Sequence, residues 1–186
     1  LDIIESPDLP KEADIDRHFS ANMTKPTDLS NVKWNAATLK DVRLVPLTTH
    51  QDDRGYLVEI AHSTDPYLPK FGQVYLVGNP ARGAVRAFHK HAKLWDLFSI
   101  THGSAKFVLV DDRPESPTRG EANVFVLSHK DHSLLVVPPG VYHGWMSLED
   151  DTQMISTASE VYDRGRPDEV RIPPDSFGDV WTVKGR

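Results

Sequence analysis

The sequence predicts an all-β chain, a small antiparallel barrel or sandwich, and three observations carry that prediction. From Lys40 onward, short runs rich in β-branched and aromatic residues recur at intervals of about ten; turn residues separate them; and no stretch holds the 3.6-residue apolar period of an amphipathic helix. Strands without intervening helices argue against βαβ units and a parallel sheet.

The first segment, Leu1–Lys40, is polar, with prolines at positions 7, 10 and 26, and reads as an extended N-terminal arm. In small barrels such arms often lie across a partner subunit, because an unpaired sheet edge is otherwise a liability, so a homodimer is expected. Residues 41–186 then form one barrel domain, a length that supports a single well-buried core. Its strand candidates are Val42–Leu47, Gly55–Ile60, Gln73–Val77, Ala84–His91, Trp95–Thr101, Ala105–Asp111, Asn123–Leu127, Ser133–Val137 and Gln153–Ser159. Between them Asp52–Gly55, Asn79-Pro80, His102-Gly103, Pro114–Gly120 and Pro138–Gly140 provide the Gly, Pro, Asn and Asp that turns require. There is no internal repeat.

Composition narrows the functions. With 39% hydrophobic and 26% charged residues the chain is globular in type. Its formal charge is −6 and its Lys and Arg are scattered, so no basic patch is available to a phosphate backbone and nucleic-acid binding is not expected. No stretch approaches the roughly 20 apolar residues of a membrane span, and the acidic, proline-containing start lacks the regions of a signal peptide; a cytoplasmic location is the expectation. There is no cysteine, so a transition-metal site must be built from imidazole and carboxylate, which directs attention to the nine histidines.

Their pattern is informative between Gly83 and Gly103. Strand side chains alternate faces, so His89 and His91 project together with Val85 and Ala87 onto one apolar face. On the next run Asp96 alternates with Phe98 and Ile100, which puts a carboxylate among interior residues, where burial unpaired is costly. A divalent cation resolves that cost. A fourth ligand, His143, follows the turn Pro138-Pro139-Gly140, which directs it back toward the barrel mouth. The expected cofactor is one divalent metal ion (Zn, Fe, Mn or Ni) held by His89, His91, Asp96 and His143. His50, His62, His102, His129 and His132 fall in turns or polar stretches and are expected to be solvated.

These residues resemble the two sequence elements of the cupin superfamily. The first is matched at Gly83, His89, His91 and Gly103, with Asp96 where the superfamily usually has Glu; the second is matched at Pro138, Gly140 and His143, with His132 and Ser147 replacing its first Gly and last Asn. The resemblance implies a cupin jelly-roll, also called a double-stranded β-helix. A longer resemblance, from about Val42 to Trp181, is to the dTDP-4-dehydrorhamnose 3,5-epimerase family. It is carried by Asp53–Glu59, Gly83–His89, Pro138–Trp145 and Glu160-Val161-Tyr162.

That family is a homodimeric jelly-roll that usually needs no metal, and it moves protons at carbons flanking a sugar ketone with a histidine base and a tyrosine acid. The resemblance implies His89 as base, His143 as second active-site histidine and Arg86 as a substrate-binding arginine. The family's lysine position holds Ser99, leaving Lys93 as a substitute, and its tyrosine position holds Ser156, leaving Tyr162. The carboxylate that orients the family's base has no evident counterpart. Strict alternation places Arg86 on the face opposite His89, so a bulge, or a partner subunit, would be needed to bring it into the same site. Trp145, Trp95 and Tyr142 could stack on a sugar or belong to the core.

The function implied is epimerisation or isomerisation of a keto-sugar, nucleotide-linked or free, with a divalent metal. Two alternatives stand beside it: a mononuclear metal oxygenase or decarboxylase, and a non-catalytic carbohydrate-binding cupin.

Overall fold

The computed structural model describes residues 32–34 and 38–183, so the larger part of the expected arm lies outside the described residues. Within that stretch, Lys33–Trp34 (β1) pairs in parallel with a later strand, and Leu39 is buried in the core. The other strands are Arg43–Pro46 (β2), Thr49–Asp52 (β3), Gly55–Val58 (β4), Gln73–Asn79 (β5), Val85–Lys90 (β6), Asp96–His102 (β7), Ser104–Asp111 (β8), Glu121–Ser128 (β9), Ser133–Val137 (β10), Val141–Ser147 (β11), Thr152–Ala158 (β12) and Val170–Arg171 (β13). No helix occurs among the described residues, and none is long and apolar enough to cross a membrane.

Two sheets face each other. One runs β1-β9-β8-β11-β6-β13 and the other β2-β10-β7-β12-β5, while β3 and β4 form a separate hairpin. Sequence neighbours repeatedly fall in opposite sheets, as in a jelly roll. All nine strand candidates are present with ends shifted by a few residues. Four elements were not anticipated: β1, β3, β11 and β13. The omission of β11 matters most, because His143 is not aimed by a turn but sits inside a seven-residue strand buried along its whole length.

Alternation on these strands sorts the apolar side chains into three layers. The interior between the sheets holds Phe98, Ile100, Phe107, Leu109, Leu135, Trp145 and Met154. The outer face of the six-stranded sheet, with Phe88, Val108, Val110 and Tyr142, is covered by Ile172, Phe177, Val180 and Trp181 of the C-terminal return. The outer face of the other sheet, with Leu97, Leu134 and Val136, is covered by Ile60 to Leu68.

One strand pairing sets which side chains of β6 face the space between the sheets. β11 pairs β6 with His143 opposite His89 and Trp145 opposite Arg86, so two residues of β6, Ala87 and Phe88, face one residue of β11, Gly144. This is a β-bulge. A side chain on Gly144 would overlap the Cβ of Ala87 and come within 2.9 Å of the Arg86 carbonyl, so the close approach of the strands requires glycine. Gly144→Ala is therefore expected to cost about 1–3 kcal/mol, read as a lower denaturant midpoint. Gly78→Ala, with its nearest neighbour at 4.0 Å, should stay within about 0.5 kcal/mol of the parent chain.

Candidate functional site

Two walls form the site. On the six-stranded sheet, cross-strand partners share a face, so the bulge puts Arg86 on the same side as His89, opposite Trp145 and His143 respectively. Strict alternation alone would put Arg86 on the other side; the extra residue in β6 reverses it. The Arg86 side chain donates from Nε to Asn79 Oδ1 at 2.8 Å and remains exposed. On the facing sheet, β7 turns Asp96 and Phe98 inward. Asp96 is 1% exposed, and the Phe98 ring lies 5.6 Å from that of His143.

His91 stands one residue beyond the end of β6, so a tertiary contact places it rather than strand alternation. Its Nδ1 lies 2.5 Å from the Asp168 carbonyl oxygen, to which it can only donate. The Asp168 carboxylate in turn accepts from the backbone N–H groups of Ala92, Lys93 and Leu94 at 3.2, 2.9 and 3.1 Å. His143 is anchored in the same way, its Nδ1 donating to the Val141 carbonyl at 3.0 Å.

A neutral imidazole that donates at Nδ1 carries its lone pair at Nε2. Both Nε2 atoms lie 3.3 Å from one oxygen of Asp96, Oδ2. The approach lacks hydrogen-bond geometry: both Asp96 oxygens and His143 Nε2 are buried without a hydrogen-bond partner. Two lone pairs therefore confront a buried carboxylate, which is unfavourable unless a proton or a cation lies between them.

Burial acts to lower the His91 pKa, but the adjoining carboxylate of Asp96 outweighs it and raises it. Burial acts to raise Asp96, and the His143 and His91 rings outweigh it, holding the carboxyl below the usual range. His89 behaves differently. Its ring lies 4.2 Å from that of His143 and 5.2 Å from that of His91, and it has no carbonyl anchor among the described residues. Burial, followed by its two histidine neighbours, lowers its pKa well below the ordinary value.

The ligand atoms of His89, His91, Asp96 and His143 all lie within 4.8 Å of one another. A first-row ion with bonds of about 2.0–2.2 Å draws its ligands to within roughly 4 Å of each other, so this cluster can hold a divalent cation after a small contraction.

The remaining candidates scatter. Tyr162 is 43% exposed, with its N–H donating to Gln73 Oε1 at 3.1 Å. Lys93 is exposed on the connection between β6 and β7. Trp145 is 5% exposed and stacks on Phe107 inside the barrel, so it packs as a core residue and presents no free ring face to a sugar. Trp95 packs against the outer cluster over the five-stranded sheet, and Tyr142 is buried with Lys90 Nζ 4.6 Å from its ring centre. His129 is not simply solvated: its Nδ1 donates to the Gly103 carbonyl at 2.8 Å and its ring stacks on His102.

Two residues escaped the sequence reading. Asp168 carries no motif that would mark it. Tyr75 sits on β5, paired with Ser156 of β12, and its phenol is pushed up to about 12 by burial and then by the Asp96 charge.

The family model for dTDP-4-dehydrorhamnose 3,5-epimerase matches residues 36–184. The spore coat polysaccharide biosynthesis protein SpsL of Bacillus subtilis is 35% identical over 148 residues, covering 78% of this chain and 97% of SpsL. The probable low-salt glycan biosynthesis epimerase Agl13 of Haloferax volcanii is 32% identical over 145 residues, covering 74% and 89%. Among solved structures, a dTDP-4-dehydrorhamnose 3,5-epimerase from Sulfolobus tokodaii superposes with a TM-score of 0.67 at 26% identity, covering 76% of this chain and 81% of that one.

The electrostatics predict a specific titration. In chelator-treated protein, Asp96→Asn should lower the His91 pKa, because the Asp96 carboxylate is the largest influence opposing burial and only the lesser effects of the Asp168 carbonyl and Glu169 remain against it. Ring-nitrogen NMR shifts followed across pH measure this, and an unmoved His91 would show that Asp96 is not what raises it.

Proposed function

Because this chain belongs to the dTDP-4-dehydrorhamnose 3,5-epimerase family, we propose that it epimerises a nucleotide-linked keto-sugar and that its buried histidine and aspartate cluster holds one divalent metal while doing so. As a member of that family it is a sugar epimerase in type. The metal is a departure from what the family resemblance implies. The observation that supports it is the buried carboxylate of Asp96, partnerless at both oxygens, with two carbonyl-anchored imidazoles presenting Nε2 to it.

His91, Asp96 and His143 would hold the ion, with His89 at their edge. Bound there, a divalent cation supplies Lewis-acid polarisation of the ketone. The anchors on His91 and His143 fix which nitrogen each ring presents and keep it aimed, the usual outer-shell requirement of a metal site. His89 makes no comparable contact with Asp96, and this separates the two roles that compete for it: it serves as the base that removes a proton from the carbon beside the ketone. Arg86, on the same face and exposed, lies where it could reach a substrate's anionic group.

A homodimer belongs to the same reading. β5 closes one edge of the five-stranded sheet, and Val74 and Leu76 on it are exposed at 56% and 64%. An apolar edge strand of this kind calls for cover.

The test pairs two measurements. Untagged protein purified without chelator is expected to carry about one metal per chain by elemental analysis, and His91→Ala to lose most of it. Incubated in D2O with a thymidine-diphosphate-linked 4-keto-6-deoxyhexose, the wild type should incorporate deuterium beside the ketone, seen by proton NMR. Absence of metal after incubation with manganese, iron, nickel and zinc would end the metal reading. Absence of exchange with metal supplied would end the epimerase reading, and oxygen uptake in its place would favour an oxygenase.

A further inference from the structure

Epimerisation needs two proton-transfer groups on opposite sides of one carbon. If the group that removes the proton also returns it, configuration is retained. With His89 as base on the wall formed by β6, the second group must come from the opposite wall, and the strand registers say what is there. The row Phe98, Ser156 and Tyr75 crosses β7, β12 and β5 on one face, and Phe98 and Met154 on that face belong to the interior core. Tyr75 therefore points inward.

The contact between the Phe98 and His143 rings aligns the walls. One strand from His143 on its sheet is His89, and one strand from Phe98 on the other is Ser156, followed by Tyr75 at the edge. Arg171 pairs with His89 on the far side of β6 from β11 and also acts electrostatically on Tyr75, which puts His89 toward the Ser156–Tyr75 end of the row. Asp96 and Arg171 act electrostatically on both His89 and Tyr75, as groups of one chamber do. The Ser156 hydroxyl is itself buried without a hydrogen-bond partner. Tyr75 is 41% exposed, so its side chain is open to a molecule from solvent.

Resting on the epimerase reading above, we propose that Tyr75 is a catalytic residue of this chain, the acid that delivers a proton to the substrate carbon on the face opposite His89. His89 takes the proton as the C–H bond breaks, and the electron pair moves into the enolate of the adjoining ketone. The Tyr75 O–H bond then breaks, a new C–H bond forms on the opposite face as the ketone is restored, and the phenolate keeps the electrons. Solvent reprotonates the phenolate and removes the proton from His89. No oxidant or reductant is involved. A tyrosine phenol, with an ordinary pKa of about 10, holds its proton at neutral pH and so is ready to deliver it.

This assignment separates two events that a merely structural role would not. The metal-loaded holoenzyme, incubated in D2O with the thymidine-diphosphate-linked 4-keto-6-deoxyhexose, is followed by NMR for deuterium incorporation and for inversion at the same carbon. Tyr75→Phe should keep incorporation within a few-fold of wild type, since His89 still removes and returns the proton, while inversion falls by about 100-fold or more. Inversion at the wild-type rate, or incorporation and inversion falling together, overturns the assignment. The same split produced by Tyr162→Phe with Tyr75→Phe unaffected would move the acid to Tyr162 and overturn it too. A wild type that neither exchanges nor inverts removes the epimerase reading itself, and the role of Tyr75 with it.

Discussion

A buried negative charge organises this molecule. Asp96 opens β7 at the heart of the barrel, where an unpaired carboxylate costs several kcal/mol, and the structure answers by bringing nitrogen to it from two directions. His143 arrives on β11, threaded between β8 and β6. His91 arrives from a connection outside any strand, held there by Asp168. Neither ring could be displaced without leaving the carboxylate exposed to apolar surroundings, so the local architecture of three strands and one loop follows from a single ionised side chain.

The bulge in β6 solves a second constraint. The strand must offer both His89 and Arg86 to one chamber although they are an odd number of residues apart. A regular strand cannot do this, because the side-chain period is two. The inserted residue makes it possible, and Gly144 on the neighbouring strand gives up its side chain so that the backbones can meet there. The chemistry of the mouth thus depends on a residue with no chemistry of its own.

These features divide what could be read in the sequence from what could not. The strand runs, their turns and the grouping of His89, His91, Asp96 and His143 were legible because they rest on local alternation and on spacing. β11 was hidden because Val141–Ser147 contains a glycine and follows two prolines, and so lacks an alternating pattern even though both of its faces are buried. The bulge, the Asp168 anchor and the inward row ending at Tyr75 depend on which strands pair and in what register. No local pattern encodes that, and it becomes visible only when residues distant in the chain, such as Tyr75 and Ser156, are placed side by side.

The chain after β12 carries two attachments at once. Its Asp168 grips the connection that holds His91, and a few residues later Ile172, Phe177, Val180 and Trp181 lie over the outer face of the six-stranded sheet. Packing on the outside of the barrel is thereby coupled mechanically to ligand placement on the inside. A substitution in that covering segment can therefore shift the centre from outside, without altering any residue that lines it.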